Sequence, residues 1–150
     1  LEPAREMLEH AHTVPGLGDG GAHLGMIADA SFTTWMLTYW VRDRTRGPCL
    51  SLPFAVHAIT ARTADAVGLG DRGRLLPGLR ADLNLIDLEG LRLRRPRIVE
   101  DLPAGGRRLL QAAEGYRATV VAGQVVALDG VPTGALPGRL VRGARVAPSA

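Results

Sequence analysis

Asp19 is the side chain best placed for chemistry. It lies in the run Gly16-Leu17-Gly18-Asp19-Gly20-Gly21-Ala22-His23. Glycines let a backbone approach a ligand closely, and a carboxylate held there can take up and return a proton. His23, four residues on, is a candidate substrate-binding residue facing the same space. The run also has the spacing G-x-G-x-x-G at Gly16, Gly18 and Gly21. A dinucleotide site would need that motif to follow a strand and open a helix inside a βαβ unit. After the run no helix signal begins until about Ser31, and no βαβ pattern follows. A phosphate-binding loop is excluded because the chain has no Lys. Taken alone, the run reads either as a surface turn with an exposed carboxylate or as a ligand-facing loop.

The other reactive side chains carry less. His10-Ala11-His12 has a metal-ligand spacing that works on a strand, where i and i+2 share a face. At the end of a helix the two rings diverge, so they are read as solvated. His57 lies in the apolar stretch 52–59 and reads as structural. Cys49 follows Gly47-Pro48 with no base nearby and reads as inert. One carboxylate and one histidine make neither a triad nor a closed metal site.

The elements that must position Asp19 follow from the pattern around it. Pro3 to His12 reads as a short helix, and 13–17 as a short extended piece. Ser31 is an N-cap candidate for a helix to Arg44, with Phe32, Trp35, Met36, Tyr39 and Trp40 on one apolar face. Ser51 and Thr60 are N-cap candidates for helices over 52–59 and 61–67, closed by Gly68. Beyond Gly68 come short β-branched stretches at 81–87, 119–122 and 124–128. Ala122-Gly123 is a tight connection, and Asp129-Gly130 ends the pair. The Gly-, Pro- and Arg-rich 132–150 reads as a tail on the surface.

Composition narrows the classes. The chain has 150 residues, 46% hydrophobic and 22% charged, which argues against disorder. Its length is short of the roughly 250 residues of a whole (β/α)8 barrel. All eighteen basic residues are Arg; four stand against six acids in 1–60, and fourteen against nine in 61–150. The arginines are scattered among Gly, Pro and Asp, so no nucleic-acid partner is expected. No apolar run reaches the length of a membrane span, so no membrane partner is expected either. One Cys fits a reducing compartment, the cytoplasm.

Two runs carry a family resemblance. The first is Ala58-Ile59-Thr60-Ala61-Arg62-Thr63-Ala64-Asp65-Ala66-Val67-Gly68-Leu69. The second is Asp71-Arg72-Gly73-Arg74-Leu75-Leu76-Pro77-Gly78-Leu79-Arg80-Ala81-Asp82-Leu83 and on to Asp87. Together they resemble the C-terminal signature of metal-dependent amidohydrolases. Gly18 to His23 resembles the end of barrel strand eight in the N-acyl-D-amino-acid deacylase (D-aminoacylase) branch. The runs 101–109 and 134–143 resemble that branch's tail.

The resemblance implies an α+β fragment: the last βα unit of a TIM-type (β/α)8 barrel over 1–68, then part of a small β-sandwich with its tail over 69–150. It implies a hydrolase acting on non-peptide C–N bonds, with an N-acyl amino acid or related amide as substrate. Asp19 matches the strand-eight aspartate, which exchanges a proton with the attacking water and the leaving amine. Zinc is the implied cofactor of a full-length parent. Its main ligands belong to earlier strands, so no metal ligand is assigned here beyond, at most, Asp19. The start at Leu1 reads as a truncation, and the isolated fragment is expected to be inactive. The face of Phe32, Trp35, Met36, Tyr39 and Trp40 is expected to be bare, and to seek the missing N-terminal barrel portion or a second copy. The alternative is a non-catalytic homologue that keeps the architecture as a structural or binding module.

Overall fold

The computed structural model of the chain describes residues 1–16, 18–20 and 23–146. The predicted features at Leu17, Gly21, Ala22 and 147–150 lie outside the described residues. Helix α1 covers Glu2–Glu9. Helix α2 begins as an α-helix, Phe32–Trp35, and runs on without a break as a π-helix, Met36–Asp43, the two together being called α2. Helices α3 and α4 cover Leu52–Ile59 and Ala61–Ala66. Eight short strands follow: β1 Leu83–Ile86, β2 Arg92–Leu93, β3 Arg97–Leu102, β4 Gly106–Leu110, β5 Ala113–Glu114, β6 Tyr116–Val121, β7 Gln124–Leu128 and β8 Val131–Pro132. The chain is thus mixed α and β, and its strand ladders are antiparallel.

Local chemistry explains most boundaries. Ser51 Oγ accepts the N–H of Phe54, and Pro53 fits the first turn of α3. Gly68, at φ +74°, lets the chain turn away after α4. Thr60 does not cap α4 with its side chain, because Oγ1 donates instead to the Val56 carbonyl, 2.7 Å away. Ser31 does not cap α2 either, since its hydroxyl donates to Gln111 Oε1 in the β half. No strand forms over the described part of 13–17, whose N–H and C=O groups meet no sheet edge.

The main sheet is four-stranded and antiparallel, β1-β6-β7-β8, with two further ladders, β2-β5 and β3-β4. Three of the pairings are nested. Going outward from the turn at Pro103–Gly105, β3 meets β4, β2 meets β5, and β1 meets β6. The arm is thus one long hairpin interrupted twice. The β6-β7 turn has Ala122 at φ 51° and Gly123 at φ 78°. Two consecutive positive φ values define the primed turn that matches strand twist. Asp129 (φ 44°) and Gly130 (φ 79°) repeat it, so this pair carries the chain on into β8 where the sequence pointed to an end.

The core is drawn from both halves. Met36, Leu37, Trp40, Leu50, Ala55 and Leu91 form one buried cluster, with Ile86, Leu88 and Tyr116 packed at its side. Fully burying a large apolar side chain contributes about 1.5–3 kcal/mol. The expected bare aromatic face is therefore mostly covered from within the chain. Met36 and Trp40 are buried, and Trp35 remains 41% exposed, stacked on Tyr39 at 4.6 Å. The segment after β1 closes over them because Arg42 fastens it, donating to the carbonyls of Leu88, Glu89 and Leu91. In the described part of 132–150, Arg145 N–H donates to Gly68 O at 2.7 Å, and Arg145 O accepts from Gly70 N–H at 2.8 Å.

Candidate active site

Asp19 is exposed, in the irregular stretch between α1 and α2. Its backbone is nonetheless fixed. The Asp19 N–H donates to Asp29 Oδ2 at 2.8 Å. A Cβ placed on Gly18 would lie 3.1 Å from Asp29 Oδ1, and one on Gly20 would lie 3.0 Å from the Ala30 Cβ. The glycines on either side of Asp19 thus allow the close approach of the loop to 29–30. Asp29 is itself placed by α2, because its carbonyl accepts the N–H of Phe32 at 3.0 Å.

His23 is exposed and holds the left-handed conformation, φ 47°. Its carbonyl accepts from Met26 and Ile27, closing a tight turn. The next residue is tied to the β half: Leu24 O accepts the N–H of Leu109 on β4 at 2.6 Å. Further along, Ser31 is held by Gln111, whose amide donates on to Arg94 O. The loop that carries Asp19 and His23 is therefore supported from α2 and from the β3-β4 arm. None of the residues Asp29, Leu109 and Gln111 could be singled out from sequence, because each acts across ten or more positions with no local motif.

The remaining candidates do not join this loop. His10 and His12 are exposed, with ring centroids 5.5 Å apart. The Nδ1 of His10 accepts the His12 N–H, which occupies one of the four ring nitrogens that a metal would use. Exposed His57 sits on α3, and Cys49 donates to Arg44 O. Among the described residues no group of three or more His, Cys, Asp and Glu converges as a metal would require. These residues alone therefore do not fit a zinc ion.

Two clefts flank the helices. One of about 690 Å³ lies between α3 and β1, with Leu52, Val56, Leu83 and Leu85 on its walls. The other, about 630 Å³, lies between Val14–Gly16 and α4. Neither is lined by Asp19 or His23, although Gly16, at the start of the same run, borders the second. No helix among the described residues is long and apolar enough to cross a membrane.

Carboxylate electrostatics are dominated by arginine. Arg74 beside Asp65, Arg72 beside Asp71 and Arg108 beside Asp101 hold those acids below their ordinary range by direct hydrogen bonds. Asp87 is lowered first by the Gly90 N–H and then by Arg117. Most of these pairs are exposed, and the Asp71–Arg72 pair is half-buried.

The amidohydrolase family model matches residues 1–127. The chain belongs to the amidohydrolase family, and its function is that of a hydrolase in the general sense. Members of this family are often metal-dependent. Neither the curated proteins nor the solved structures give a match.

Proposed function

We propose that the chain is the C-terminal portion of a zinc-dependent amidohydrolase of the D-aminoacylase type, acting in the cytoplasm on N-acyl-D-amino acids or related amides. The observation that carries this reading is Asp19, a solvent-facing carboxylate on a loop whose backbone is fixed from behind. Membership of the amidohydrolase family supports it, as does the order of the motifs resembling the D-aminoacylase branch. In this reading Asp19 takes the proton from the water that attacks the amide carbonyl carbon. As the C–N bond breaks, it delivers that proton to the departing nitrogen. His23 contacts the substrate. Zinc would rest on ligands outside residues 1–150, because the described residues do not supply a set.

The apolar cleft between α3 and β1 supports the matching proposal about partners. Leu85 is 61% and Leu75 84% exposed there, a surface that a preceding barrel portion or a second copy would cover. The second reading is a non-catalytic module that keeps the architecture without the chemistry.

The deciding experiment expresses the entire reading frame that encodes the chain and measures amine release from a panel of N-acyl-D- and N-acyl-L-amino acids. The proposal expects release from the D series, lost with a zinc chelator, and a fall of about a hundredfold or more for Asp19→Asn. Release unchanged by Asp19→Asn would remove Asp19 from the chemistry. No release from any substrate would favour the module.

A further inference from the structure

We infer that Asp29 is a positioning residue, whose carboxylate fixes the backbone of Asp19 and so sets where the Asp19 side chain stands. The inference rests on the reading of Asp19 as the proton-transfer group. Three observations converge on it. Asp29 Oδ2 accepts the Asp19 N–H at 2.8 Å. Its Oδ1 and Cγ lie against Gly18 so closely that any side chain there would meet them at 3.1 and 3.2 Å. Its carbonyl accepts the Phe32 N–H, which anchors Asp29 to the first turn of α2. Asp29 thus links the described part of the loop to a helix, its side chain holding Asp19 and its carbonyl holding Phe32.

The physics favours a carboxylate over a neutral group. A backbone N–H donating to an ionised oxygen forms a stronger bond than one donating to a neutral acceptor. Fixing the peptide at Asp19 leaves its side chain only its own rotations, which restricts the volume its oxygens can sample. An acid–base group acts only within hydrogen-bond reach of the reacting atoms, so this restriction bears on rate more than on substrate binding. Asp29 is itself exposed, and in this reading it acts through the Asp19 backbone.

The test has two arms. In the 150-residue chain, amide hydrogen exchange at Asp19 is read by NMR for Asp29→Ala and Asp29→Asn. Loss of one hydrogen bond to a charged acceptor should speed exchange at Asp19 by about tenfold or more in Asp29→Ala, with α3 and α4 unchanged. Asp29→Asn keeps an acceptor oxygen and should restore most of the protection. In the enzyme expressed from the entire reading frame, Asp29→Ala should lower kcat with little change in KM, and Asp29→Asn should recover much of it. Equal exchange at Asp19 in all three chains overturns the inference. So does a rise spread evenly over α3 and α4 in both variants, which would make Asp29 a general stabiliser. If Asp29→Ala releases the Asp19 amide while Asp19→Asn leaves hydrolysis intact, the positioning stands and the catalytic reading of Asp19 fails.

Discussion

Replacing Leu91 with alanine tests whether the helices and strands share one core. Leu91 is 0% exposed and lies between β1 and β2, yet its side chain packs with Met36, Leu37 and Trp40 of α2 and Ala55 of α3. The site has little freedom to collapse. Arg42 holds the Leu91 carbonyl at 2.9 Å, and the Leu91 backbone runs closely against Gly115. A cavity would therefore persist, and the loss should be about 3 kcal/mol, within the usual range for buried Leu→Ala. For a chain near 150 residues, 3 kcal/mol corresponds to a fall in Tm of about 6–12 °C. Urea unfolding should be followed by tryptophan fluorescence, which reports on α2 through Trp35 and Trp40, and by far-UV circular dichroism, which reports on the whole backbone. Both probes should shift together to lower urea by about 1.5 M, given a slope near 2 kcal/mol/M. A loss under about 1 kcal/mol, or two probes that separate, would refute the shared core.

Three further outcomes can be checked. Gly115→Ala should destabilise by more than about 2 kcal/mol in the same urea assay, because φ is +97° and the new Cβ would lie 2.6 Å from the Leu91 Cα. Acid should weaken the fold: Asp65, Asp71, Asp87 and Asp101 all have folded pKa values below their ordinary 3.8, so their contribution is complete above that value and lost as pH falls through the lower folded ones. Thermal melts should therefore drop steeply below about pH 4, and Asp87→Ala should blunt the drop. Finally, the chain should bind a fluorescent apolar dye or self-associate in light scattering, and Leu85→Arg should reduce both; a monomer that binds no dye would contradict an uncovered α3-β1 cleft.

Local signals made part of this architecture legible in the sequence. Ser51, Pro53 and Gly68 mark α3 and α4 within a residue or so, because caps and breakers act on their immediate neighbours. Ala122-Gly123 marks the β6-β7 turn for the same reason. The strands β2 to β5 escaped, since Arg92, Arg94, Arg95 and Arg97 with Pro96 hide the alternation that a half-buried strand displays. Their order comes from pairing partners, with Glu114 joining Arg92 and Arg94 across the ladder. The aromatic face was visible at helical spacing, but its cover was not. That cover is delivered by a loop some fifty residues on, through an arginine reading backbone carbonyls. Asp19 stood out by its glycines and its family resemblance. Asp29 did not, because one carboxylate ten residues away looks like any surface acid until its oxygen meets an N–H.

The nested ladders have a kinetic meaning. Pairing that starts at the Pro103–Gly105 turn can zip outward, since β2-β5 lies only a few residues beyond β3-β4, and β1-β6 only a few beyond that. Each step closes a short loop, so no single step bears the entropy of joining Leu83 to Val120 directly. The arm should then assemble on the timescale of hairpins, about 1–10 μs per closure. Its tip would form before its base, and Leu91, near the base, would reach the helices last. The slow event in folding would be the docking of a finished arm onto α2.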